Sequence, residues 1–260
     1  TIVAIGARAA KFSSYNRLGY VEIKQYSSGS WSQIGRLIGA NGDLPNAGGN
    51  NSVQFGSAVA LNGAGTILAV SSPYNPSGGI VQVYEYDSGS SSWSQLGSDI
   101  AGTTRVGDTH GTLSLNTAGT ILAIGDRYAN SNYGVVKVYE YSGGSWSQIG
   151  SDIDGENDDD YCGTVSLSSL GTILAVGARY NDGNGGNSGH VRVFEYSGGS
   201  WSQLGSDIDG EAANDSSGLS VSINSAGTIV AIGASGNDDA GNSAGHVRVY
   251  EYDSEQLLGV

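Results

Sequence analysis

GTILAVGARYNDGNGGNSGHVRVFEYSGGSWSQLGSDIDGE, running from Gly171 to Glu211, is one copy of a unit that recurs with edits along all 260 residues. A second copy starts at Gly119 (GTILAIGDRY…GVVKVYEYSGGSWSQIGSDIDGE) and a third at Gly65 (GTILAVSSPY…GIVQVYEY…SWSQLGSDI). Thr1 falls inside a fourth (TIVAIGARA…GYVEIKQYSSGSWSQIG), and Gly227 opens a fifth (GTIVAIGAS…GHVRVYEY). The Trp of each SWSQ motif, at Trp31, Trp93, Trp146 and Trp201, recurs about every 55 residues, the spacing of a repeat architecture.

Each unit carries four β-prone runs. The first is built of small residues: 57–62 (SAVALN), 112–116 (TLSLN), 164–168 (TVSLS) and 219–224 (LSVSIN). TILAVGA, VRVFEY and WSQLGSDI follow, all rich in Val, Ile, Thr or Tyr and bounded by Gly, Asn, Asp or Ser. No segment sustains a helical period with caps. Four short antiparallel strands per unit predict an all-β fold, a single β-propeller domain over 1–260 with four-stranded antiparallel blades. The five units fall at about 1–54, 55–108, 109–160, 161–215 and 216–260. The first blade lacks its inner strand, because nothing precedes Thr1. The chain reads as a piece of something longer, with a ring of five blades completed by a strand from upstream.

Composition narrows the partners. A net charge of −14 without a basic face argues against nucleic acid, and no apolar run is long enough to insert in a membrane. One cysteine, Cys162, excludes an intrachain disulfide. The first unit is the most deviant, with Arg8, Lys11 and Arg17 in the link after its opening strand and a long closing loop at 39–51.

Phe55-Gly56 opens a stretch, FGSAVALNGAGTILAVSSPYNPSGGIVQVYEY, that resembles an FG-GAP repeat, the blade type of the integrin α-chain propeller. Gly6-Ala7, Gly177-Ala178 and Gly233-Ala234 take the place of that family's Gly-Ala-Pro. The resemblance implies a non-enzymatic module on the cell surface. It does not extend to the family's calcium loop: the turns at 62–65, 116–119, 168–171 and 224–227 offer one side-chain oxygen at most, and calcium takes six to eight.

The candidate cation ligands lie elsewhere, in the DxD pairs Asp152/Asp154 and Asp207/Asp209, where alternation puts both carboxylates on one side. Calcium is the ion they suit, although turn chemistry alone also accounts for them. No other cofactor is implied. His190 and His246 share a repeat position held by Ile80 and Val135 elsewhere, which reads as packing. Gly241–Gly245 matches G-x-S-x-G but lacks the strand–turn–helix context that motif needs. The small-residue runs carry no Asp, Glu, Lys, Arg or His, which argues against channel chemistry and against an enzyme. Each Trp sits inside its strand motif, which favours packing over sugar stacking. Asn50 and Asn214 head sequons, so the chain is a candidate glycoprotein if secreted. The expectation is an extracellular structural or adhesive module that contacts other protein chains or cell-surface glycans through its loops. A carbohydrate-binding lectin is the alternative.

Overall fold

The computed structural model describes residues 1–10, 18–39, 53–75, 78–102, 104–108 and 112–252. The basic residues Lys11 and Arg17, the loop from 40 to 52 with Asn50, and the final residues 253–260 lie outside them.

Five antiparallel sheets follow one another along the chain. The first holds Ile2–Ala7, Tyr20–Ser27 and Ser30–Ile38, and among the described residues no strand lies inside Ile2–Ala7, as expected. The second runs Val59–Leu61, Ile67–Ser72, Ile80–Asp87, Ser92–Gln95, and the third Leu113–Leu115, Ile121–Asp126, Val135–Ser142, Ser145–Gln148. The fourth is Cys162–Leu167, Ile173–Ala178, His190–Ser197 and Ser200–Gln203; the fifth shows Ser217–Ile223, Ile229–Ala234 and His246–Glu251. Among the described residues the one stretch with helical hydrogen bonding, Ala129–Asn132, has left-handed Asn130 and Ser131 and is a turn.

The fourth run differs from expectation in three of the units, whereas the first unit keeps it whole as Ser30–Ile38. In the second, third and fourth sheets it is broken in two, and both halves pair with the same third strand. Ser145–Gln148 pairs with the end of Val135–Ser142, and Ile153–Asp154 pairs with its beginning. A ring of the next unit packs beside the interruption at Gly150. The Trp201 ring lies over Gly150, and its Nε1 donates to the Ile149 carbonyl at 3.2 Å. Trp146 does the same one unit earlier, donating to Leu96 at 2.9 Å. These rings therefore staple each outer strand to the preceding sheet, in addition to packing on their own Tyr neighbours such as Tyr196, 5.1 Å away.

Strand alternation builds the core between sheets. Ile121, Ala123, Val136 and Val138 of the third sheet pack against Val165, Leu167, Leu174, Val176 and Phe194 of the fourth. The register shifts one unit at a time, so Ala175 and Val191 of the fourth meet Val230 and Ile232 of the fifth. Both faces of an internal sheet are buried, which is why the TILAV runs are continuously apolar instead of alternating.

Small residues set the closeness of this stacking. A methyl added at Gly177 would run into the Gly218 carbonyl, and one at Gly125 would run into that of Gly163. The partner is each time the Gly of a buried X-Gly pair: Phe55-Gly56, Cys162-Gly163 and Ser217-Gly218. Gly56 and Gly218 have φ of +86° and +85°, a region closed to most other residues.

The inner strands are tied by their hydroxyls: Leu167 N–H donates to Ser114 Oγ and Ile223 N–H to Ser166 Oγ, each across a sheet boundary. The turns after them are held by Asn. Asn62 Oδ1 accepts from Thr66 and Ile67, and its Nδ2 reaches the Ala118 carbonyl of the next unit.

The ring of five is corrected by the ends. Val247 is 68% exposed and Val249 64%, whereas the same repeat positions in the other sheets, such as Val191 and Val136, are fully buried. At the opposite end Ile5 is 47% exposed. Among the described residues the first sheet does not pack on the fifth in the way that neighbouring sheets pack. Among the described residues both end faces are uncovered, so the five sheets form an open arc.

Candidate functional site

Two places in the arc could bind something: the acidic loops at the sheet boundaries, and the bare face of the fifth sheet.

The loops put the four sequence-predicted Asp residues in different surroundings. Asp152 accepts from Gln148 Nε2 at 2.7 Å and lies 3.4 Å from Lys137 Nζ. Asp154 takes a 3.3 Å bond from Asn130 on its carboxylate, and its carbonyl accepts from Arg192 at 2.6 Å. Asp209 offers its carbonyl to Arg248. Asp207 has Oδ1 fixed by Gln203 Nε2 at 2.7 Å, and its Oδ2 lies 3.7 Å from His190 Nδ1.

That same His190 Nδ1 stands 3.8 Å from Glu156 Oε2, an oxygen that also takes a 3.4 Å bond from Asn181. The other Glu156 oxygen faces Arg192, at 3.6 Å. Glu156 comes from the loop leaving the third sheet, and His190 and Asp207 come from the fourth, so the group straddles a boundary. Its three donor atoms all lie within 4.8 Å of one another. His190 is 1% exposed, and neither ring nitrogen has a hydrogen-bond partner. Burial, and then the Arg192 guanidinium, push its imidazole below the ordinary range, outweighing Asp207 and Glu156. A similar group forms one unit on, from Glu211, Asp239 and His246, with His246 Nδ1 3.4 Å from Glu211.

Sequence reading took both histidines as packing and passed over Glu156 and Glu211. The signal was present: the position is His only in the two units preceded by DIDGE, and Val135 follows SDIAG. Asn214 is exposed at a left-handed turn (φ 70°), with the adjoining Asp215 buried and accepting from Glu211 and Ala212.

A second polar cluster runs along the same rim. Arg105 lies between Tyr74 and Tyr128, at 5.1 and 5.0 Å from their ring centres, and Arg179 lies 4.5 Å from Tyr180. Tyr161 bridges Tyr128 and Tyr180 edge-on, at 5.6 and 5.4 Å. Such cation–π and edge contacts link successive sheets without a ligand.

The fifth sheet's outward face presents Ile229, Val247 and Val249 in one apolar strip. A methyl on Gly233 would meet only the Ser220 hydroxyl of its own sheet, whereas Gly6, Gly125 and Gly177 each receive the X-Gly backbone of the next unit. Among the described residues nothing covers this surface.

No family model matches the chain, and no curated protein matches it in sequence. Solved structures do share its shape. A 6-phosphogluconolactonase candidate from Bacteroides fragilis superposes with a TM-score of 0.58 at 14% identity, over 93% of this chain and 62% of that one. TolB from Acinetobacter baumannii gives 0.52 at 13%, over 97% and 52%. Hydrazine synthase from Kuenenia stuttgartiensis gives 0.53 at 12%, over 90% and 68%. The chain thus spans between half and two thirds of the first two. These likenesses overturn the expected extracellular adhesive module and its lectin alternative: the shared shape is that of lactonase, TolB and peptidase propellers, and no adhesion function accompanies it. What the chain has in common with them is the fold, a β-propeller of four-stranded antiparallel blades.

Proposed function

We propose that this chain is a non-catalytic, ring-building segment of a larger β-propeller, whose fifth sheet receives a further repeat unit of its own kind. The observation that carries this is the exposure of Val247 and Val249 at positions that are buried in the other four sheets, save the half-buried Val193. The occupant is specified by those four boundaries. It offers a buried X-Gly pair against Gly233 and an apolar second strand against Val247 and Val249, as Ser217-Gly218, Val230 and Ile232 do against the fourth sheet. A second copy of residues 1–260 presents Val3 and Ile5 with no X-Gly strand before them, so it fits less well. The FG-GAP kinship belongs to the same reading, since the FG and GA glycines are the two halves of this contact. Catalysis is left out because the inner strands use their hydroxyls to hold one another.

Appending a copy of residues 197–252 after Tyr252 continues the register and tests the reading. Val247→Lys with Val249→Lys is expected to be nearly neutral in the 260-residue chain and to cost more than about 3 kcal/mol in the extended one, read from urea midpoints. Equal neutrality in both chains would reject the docking.

A further inference from the structure

The structure assigns a divalent transition-metal site to Glu156, His190 and Asp207, at the boundary between the third and fourth sheets. The donors are one imidazole nitrogen and two carboxylate oxygens, a set that suits zinc and its neighbours better than calcium, which takes oxygen alone.

Geometry supports the assignment at each ligand. His190 is buried, without a hydrogen-bond partner on either nitrogen, and aims Nδ1 at Asp207 Oδ2 and Glu156 Oε2 at 3.7 and 3.8 Å. Those separations are too long for hydrogen bonds. They are close to the roughly 3.4 Å between ligands of a tetrahedral ion held at about 2.1 Å. From His190 to each carboxylate a contraction of a few tenths of an ångström reaches that value, and the two carboxylates lie within 4.8 Å of one another.

Each carboxylate has one oxygen oriented by a neighbour and the other turned toward His190. Gln203 holds Asp207 Oδ1 at 2.7 Å, and Arg192 faces Glu156 Oε1 at 3.6 Å. Outer partners of this kind fix ligand direction in metal sites. The guanidinium opposes a cation, but Arg192 is itself tethered to the Asp154 carbonyl. Two carboxylates against one guanidinium still leave the site negative. The ion would join a loop of one sheet to the next, so binding would also brace the arc.

Zinc chloride titrated into the intact chain by calorimetry tests this, with cobalt(II) absorbance as an independent report of a nitrogen ligand. His190→Ala removes a buried ring and risks the fold, so the half-exposed ligands are the better variants. Asp207→Asn and Glu156→Gln are each expected to weaken zinc at this site at least tenfold while keeping the wild-type urea midpoint in metal-free buffer. Glu211→Gln, one unit on, is expected to leave this site's affinity unchanged. Absence of zinc binding, full-strength binding in both variants, or calcium binding as tight as zinc would overturn the assignment.

Discussion

A tryptophan in this chain is a bolt between neighbours, and its worth depends on whether a neighbour is there. Trp146 covers Gly97 and donates to Leu96 of the preceding sheet, so Trp146→Ala is expected to cost roughly 3–5 kcal/mol in urea unfolding. Trp31 occupies the same repeat position with no sheet before it and is 49% exposed. Trp31→Ala should cost under about 1 kcal/mol. Equal losses would mean that the ring matters only to its own strand. Cys162, fully buried as the X of an X-Gly pair, has its thiol pushed up to about 11, chiefly by burial. A raised folded pKa favours the protonated form in the native state. Its contribution is therefore intact below the unfolded thiol's pKa near 9 and is lost as pH rises toward 11, by on the order of a few kcal/mol. Cys162→Ala should flatten that part of the stability–pH curve relative to wild type, and native Cys162 should resist alkylation at pH 8.

At the scale of the strand, the deciding contact is backbone on backbone. Gly177 sits beneath the Gly218 carbonyl, so Gly177→Ala must push a whole sheet away and is expected to cost about 2 kcal/mol or more. Gly233→Ala, at the same repeat position of the uncovered sheet, has only the Ser220 hydroxyl to displace and should be nearly silent. Thermal unfolding of the two variants checks the contrast; matching losses would show that the strand itself, and not the sheet beyond it, demands glycine. The split outer strand belongs to this scale too. WSQLGSDI reads as one strand in sequence, yet its two halves pair separately in the second, third and fourth sheets. The next unit's indole is not what breaks it: Gly35 has Trp93 over it within the unbroken Ser30–Ile38, and Gly205 has no ring over it where the fourth sheet's strand is split.

Across the whole molecule the argument is about faces. Internal sheets bury both, and the two end sheets each leave one open, with Ile5 at one end and Val247 and Val249 at the other. An uncovered apolar face of this kind marks an interaction surface. In the chain extended by residues 197–252, Gly233→Ala should cease to be silent and approach the cost of Gly177→Ala. If it stays silent, the added unit is not stacking in register.

The repeat by itself determined the all-β character, the strand order within a unit, the absent inner strand of the first sheet and the small-residue inner strands. Each follows from local alternation and turn residues, which one unit contains in full. Only the tertiary structure decided three other matters. It showed that the arc stays open, because the rotation per unit is set by packing between sheets and no single unit encodes it. It made the Trp rings ties between sheets as well as within them. And it brought Glu156 and Asp207 to His190, since a loop leaving one sheet and a strand of the next are joined only where the sheets meet. Two carboxylates spaced for a strand looked like partners in sequence. The fold gave them separate neighbours, because the outer strand they lie on is pinned from the side by hydrogen bonds to Gln148, Gln203 and Asn130.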